Sequence, residues 1–199
     1  MKGMMDVLSW QEIHREKFLV TLKDEAKLIS LQDIMQASLF LIDDARYVQE
    51  SYRKEYLKAY TLAFITRIKE VKEYKLINDS HIDVHEVKEA VELLLEQEKV
   101  ATGADGFDPI FFRIYMIVSL YTTFILEEPV HPVGTPFPGG FKVKFEGDKY
   151  LCPVKERQKD NPGAVCGFCI AEQDPETISW RRLFEISFLF RFNFLFLIW

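Results

Sequence analysis

Through the first hundred residues, apolar side chains recur at intervals of three and four, with nothing to break them. Pro is absent from this stretch and its only Gly is Gly3. That spacing places side chains on one face of a helix. Trp10, Ile13, Lys17, Phe18 and Leu22 give a first amphipathic stretch, and a second begins near Leu31 with Ile34, Met35, Leu39, Phe40 and Ile42. Val48, Tyr52, Tyr56, Tyr60 and Phe64 then step by four, which predicts an aromatic stripe packed against a neighbouring helix. A further helix is expected from Asp83, where Asp83 and Glu86 have capping-box spacing and Val84, Val87, Val91, Leu94 and Leu95 form one narrow apolar face.

After Gly103 and Gly106, Asp108-Pro109 reads as an N-cap followed by a proline in the first helical position. The segment from Ile110 to Leu126 is almost wholly apolar. It falls short of the roughly 20 residues a membrane span needs and contains Arg113, so it predicts the central buried helix of a bundle. At Pro129 the pattern changes. PVHPVGTPFPGG holds four prolines and three glycines in twelve residues and cannot be a helix. Phe141 to Phe145 alternates apolar residues with lysine, Glu146-Gly147-Asp148 reads as a turn, and Tyr150-Leu151-Cys152 returns, so a β-hairpin is expected.

From Phe188 to Phe196 every second residue is Phe, a strand-like period that leaves an aggregation-prone segment if it lacks a partner. Three segments follow from these patterns. Residues 1–128 form a helical bundle, 129–178 a loop, hairpin and metal module, and 179–199 a Phe-rich tail. The fold class is mainly α, a helical bundle with a C-terminal β-hairpin and zinc knuckle.

Composition narrows the class. Of 199 residues, 48% are hydrophobic and 28% charged, the balance of a globular protein rather than a disordered chain. A net charge of −6 provides no global basic field for nucleic acid or anionic lipid. The start MKGMMDVLSW has no apolar run of signal-peptide length, so a reducing, cytoplasmic location is expected.

The chemistry most visible is metal binding. The three cysteines all lie after position 150, an odd, clustered set that makes a poor disulfide framework. Cys166-Gly167-Phe168-Cys169 has the form of a zinc knuckle, and Cys152, at the end of the expected hairpin, supplies a third sulfur. Zinc takes four tetrahedral ligands and suits thiolate and imidazole. His131, in the Pro/Gly loop, is the candidate fourth ligand, with Glu172 and Asp174 as lesser ones. A water in the fourth place would open the site to catalysis. Rival readings are a redox pair, which needs a strand–C-x-x-C–helix frame, an iron–sulfur cluster, which usually takes four cysteines, and three unrelated buried thiols.

Other constellations are weaker. His81 and His85 would stand one helical turn apart, but the cap at Asp83 falls between them, so a solvated helix start is the better reading. His14 is read as surface. The 141–159 hairpin region mixes lysines with acids and with Phe141, Phe145 and Tyr150, so a protein or RNA contact there competes with a solvated edge.

HPVGTPFPGG, YLCPVKE and CGFCIAEQ in combination resemble an uncharacterised protein family of methanogenic archaea, a domain of unknown function. The resemblance runs to about Asp174 and leaves out the Phe-rich tail. It implies no activity, substrate or catalytic residue. It implies that His131, Cys152, Cys166 and Cys169 lie in that family's motif region, and a strictly reducing archaeal cytoplasm would suit free thiols. The expectation is a structural-zinc protein whose metal shapes an interaction surface. The alternative is a metal-dependent enzyme with an open zinc position and the 131–140 loop lining a substrate pocket.

Overall fold

A computed structural model describes residues 2–103 and 106–178, so the Phe-rich tail lies outside the described residues. The architecture is mainly helical. In chain order the first part runs α1 (Lys2–Val7), β1 (Ile13–His14), α2 (Arg15–Lys27), α3 (Leu31–Asp44), α4 (Glu50–Glu73), β2 (His81–Ile82), α5 (Val84–Ala101) and α6 (Pro109–Phe124).

Helix α6 is the hub, packing against α2, α3, α4 and α5. Its sequence explains why. From Phe111 to Phe124 every residue but Arg113 is buried, as an all-round apolar helix requires. Phe111 stacks on Phe64 at 5.5 Å between ring centroids and meets Phe40 at 4.4 Å. Asp108 caps the helix, accepting from the N–H groups of Ile110 and Phe111, with Pro109 in the first turn as expected. At its far end Glu127 adopts a left-handed backbone (φ 53°), which turns the chain out into the Pro/Gly segment. No helix of the described residues is long and apolar enough to cross a membrane.

The tyrosine stripe behaves as expected. Tyr56, Tyr60, Phe64, Ile68 and Val71 of α4 are buried, and Tyr56 and Tyr60 stack at 5.4 Å. Asp83 caps α5 by accepting from His85 and Glu86 N–H. A complete capping box stands at Ser30 and Asp33, where α3 begins.

Two local expectations are corrected. The stretch from Trp10 to Leu22 is not one helix, because Ile13-His14 pairs antiparallel with His81-Ile82 and α2 starts only at Arg15. On α3, Ile34, Ala37 and Leu41 face the core, whereas Leu31, Met35, Leu39 and Ile42 are exposed. That helix has more apolar positions than one buried face can cover, and Ala37, too small to stand out in a hydrophobicity count, takes the close approach.

The C-terminal part holds β3 (Lys144–Glu146), β4 (Lys149–Cys152), α7 (Lys155–Gln158), β5 (Glu172–Gln173) and α8 (Pro175–Ile178). The hairpin is present, displaced from its expected position. Val143 is buried ahead of β3, and Glu146 pairs with Lys149 across a two-residue turn led by Gly147 at φ 66°. A third strand was not legible: β5 joins β4 in parallel, setting Cys152 beside Gln173. This lobe is fixed to the bundle. Phe168 stacks on Phe124 at 6.2 Å, Val165 is buried, and the Gln97 side-chain amide on α5 donates to the Pro162 carbonyl at 2.8 Å.

Candidate metal centres

The fold draws the three thiols into one neighbourhood. Cys152 ends β4, Cys166 sits in a 3-10 turn (Val165–Gly167), and Cys169 closes it, its N–H donating to the Val165 carbonyl at 3.0 Å. Cys152 and Cys166 are buried and Cys169 is half-buried. Burial, and then the neighbouring Cys169 and Cys152, push the Cys166 thiol up to about 12. Burial also raises Cys152, against the pull of backbone N–H groups of Val154 and Lys155 that bond its sulfur. The Lys155 ammonium donates to the Cys169 carbonyl at 2.6 Å and to the Cys166 carbonyl, tying the turn to the segment after β4.

His131 is 8% exposed, and its ring lies 5.2 Å from Tyr60 and 5.5 Å from Phe137. Its Nε2 has no hydrogen-bond partner, and burial alone lowers its pKa to about 4. The imidazole is therefore neutral near pH 7, the form that ligates a metal. The lesser candidates are engaged elsewhere: Glu172 pairs with Lys149, and the buried Asp174 lies 3.4 Å from Lys144 and caps Glu176.

Tyr115 was hidden in the apolar run of α6. Its buried hydroxyl lacks a hydrogen-bond partner and is held protonated chiefly by burial, then by Tyr60, Cys166 and Cys169. Beside it, Tyr60, Tyr115 and Ser119 line a cavity of about 10 Å³, room for a single water among polar groups.

Among the described residues, one set of three His, Cys, Asp or Glu side chains brings all its ligand atoms within 4.8 Å of one another, and it is not the cysteine set. It is Glu12, His14 and His81. No sequence signal marked it, because His14 and His81 are far apart in the chain and each alone resembles a surface histidine. Of His81 and His85, read from the sequence as part of a solvated helix start, His81 lies in β2, while His85, at the start of α5, lies 3.3 Å from Glu89. The hairpin lysines are paired too. Lys142 reaches Glu55 at 3.2 Å, Lys149 reaches Glu172 at 2.8 Å, and Lys159 reaches Glu156 at 2.8 Å.

Comparison with known proteins places these features in a lineage. A UPF0305 protein of Methanothermobacter thermautotrophicus is 43% identical over 158 residues, covering 79% of this chain and 95% of its own length. A UPF0305 protein of Methanopyrus kandleri is 35% identical, covering 68% and 94%. One from Methanocaldococcus jannaschii is 30% identical, covering 78% and 93%. No solved structure matches. Residues 14–174 match the family described as "Uncharacterized protein conserved in archaea (DUF2115)", a stretch that includes His131 and all three cysteines and stops short of the Phe-rich tail. The chain belongs to this archaeal family.

Proposed function

We propose that this protein is a zinc-dependent scaffold in which Cys152, Cys166, Cys169 and His131 hold one metal ion that fixes the C-terminal lobe as a partner-binding surface. What supports this reading is the grouping of three free thiols, two of them buried and near enough to raise one another, with a buried His131 whose Nε2 has no partner. Three neighbouring thiolates repel one another and are costly to bury, and a divalent cation reverses both penalties. Binding would draw the sulfurs and the unpartnered His131 Nε2 to ligand spacing, with Cys169, the least buried of the three thiols, having most freedom to move. A protein partner fits better than RNA, because the hairpin lysines are already paired with carboxylates. The exposed Phe145, 4.7 Å from Tyr150 between ring centroids, offers an apolar contact on that lobe.

A second reading rests on the aromatic packing of His131. If Tyr60 and Phe137 hold that ring away from the sulfurs, water takes the fourth position and the site becomes that of a metal-dependent enzyme, with the 131–140 loop as pocket wall. X-ray absorption on the zinc-loaded full chain and on His131→Ala separates the two. A shell of three sulfurs and one nitrogen that loses its nitrogen in the variant supports the scaffold. Three sulfurs and an oxygen in both proteins support the enzyme. Thiols that react equally fast with and without zinc would sink both.

A further inference from the structure

The N-terminal half carries a separate constellation that owes nothing to the cysteines. The register of β1 and β2 sets His14 directly opposite His81. Opposed residues on antiparallel strands project to the same side with their Cβ atoms close. Here the two imidazole centroids are 4.0 Å apart, tilted by 47°. Strand alternation accounts for the third member: Ile13 is 1% exposed and points into the core, so Glu12 and His14 share the opposite, outward side.

Asp79 completes the arrangement. Its Oδ2 lies 3.1 Å from His14 Nδ1, and its Oδ1 accepts from the Glu16 N–H at 3.0 Å. A carboxylate at this distance accepts from an imidazole N–H, so the contact makes Nδ1 the donor. That fixes the tautomer of His14 and leaves Nε2 with its lone pair free. A carboxylate behind a histidine in this way is the usual support of a metal-ligating imidazole. His14 itself makes no side-chain cap on α2, so Asp79 serves two tasks, covering an open N–H of that helix and orienting the ring.

We propose that Glu12, His14 and His81 form a second metal site, specific for a divalent first-row transition ion. Two imidazoles and a carboxylate suit zinc, nickel or cobalt rather than calcium or magnesium. Glu12 and His81 are exposed, so water fills the remaining coordination positions. The ion clamps the segment ahead of α2 to the connection between α4 and α5. Because the two strands are remote in sequence, the unfolded chain has no such site, and binding stabilises the fold by mass action.

Cobalt(II) titration of the chelator-stripped, reduced full chain tests this, read by visible absorption and by thermal melting. The expected result is one equivalent of cobalt without a thiolate-to-metal charge-transfer band. That equivalent is lost in His14→Ala and in His81→Gln, and it binds about 10- to 100-fold more weakly in Asp79→Asn. His85→Ala, on the neighbouring exposed histidine, leaves it unchanged. His81 is exposed and its replacement by Gln keeps a side chain of similar reach, so this variant holds the fold if His14→Ala does not. An equal cobalt count and equal melting shift in His81→Gln and the parent would overturn the proposal, as would loss of the equivalent in His85→Ala. The charge-transfer band reports the cysteine site, so its absence would count against the proposed scaffold and leave this site standing.

Discussion

The cysteine cluster and the Glu12–His14–His81 cluster solve the problem of gathering ligands in opposite ways. The first places soft donors in the interior, where the Cys166 thiol is pushed up to about 12 and the sulfurs stand near one another without closing to ligand spacing. The second places harder donors at the surface, already within 4.8 Å, with the supporting carboxylate in position. Buried thiols gain most from a cation, because burial makes ionising them there costly. Exposed imidazoles gain less, since water already solvates them, so that site depends on preorganisation. Tight geometry in the absence of metal therefore measures how a cluster is scaffolded rather than how strongly it binds.

The comparison can be broken most sharply at Cys152. Cys152→Ser replaces one of the three sulfurs proposed as ligands. The expected loss of zinc affinity is about a thousandfold or more, measured by competition with a chromogenic chelator, since even changes behind the ligands cost 10- to 100-fold. The outer site should keep its cobalt in the same variant, and a parallel loss there would mean that the two sites are coupled.

Next in size is the mechanical link between the lobe and the bundle. Phe124 is 6% exposed and carries the stacked Phe168 ring. Phe124→Ala should cost about 3–4 kcal/mol in urea melts, as truncation of a buried Phe does, and should speed thiol labelling of Cys169. Unchanged labelling would show that the lobe holds its shape without that contact.

A somewhat smaller effect is expected from pH. In the chelated protein His131 is neutral when folded, with a pKa of about 4 against an ordinary 6.5. Between those values the unfolded chain binds more protons. Stability is therefore complete above pH 6.5 and is lost as pH falls toward 4, by about 3 kcal/mol in total. His131→Gln should flatten that slope. A slope that survives the substitution belongs to other groups.

The smallest effect sharpens the contrast from the surface side. Lys149 pairs with Glu172 in the open. Lys149→Ala should leave the melting temperature unchanged within error and leave zinc affinity intact, because exposed ion pairs contribute little. A marked drop in affinity would assign the hairpin charges a role in closing the metal site.

Much of the helical part was legible because its signals are local. Asp83 and Asp108 announce helix starts through side chains that bond N–H groups two or three residues ahead. The step-by-four aromatics of α4 and the unbroken apolar run of α6 give burial from periodicity alone. The hairpin was readable from Gly147, although its bounds were not, since Glu146 and Lys149 belong to the strands and pair across the turn. The parallel β5 had no signal, being two residues long and therefore without a period to detect.

The sequence by itself determined most of the helical segments, where α5 and α6 start, and that the only thiols are crowded into the C-terminal third. These properties depend on neighbours within a turn or two, or on composition. Only the tertiary structure decided that His14 faces His81 and leans on Asp79, 65 residues away. It alone also buried Tyr115 with its hydroxyl unpartnered, and gave the outward side of α3 no cover among the described residues. Those facts follow from how the elements pack around α6, and packing is a property of the whole chain that no local window contains.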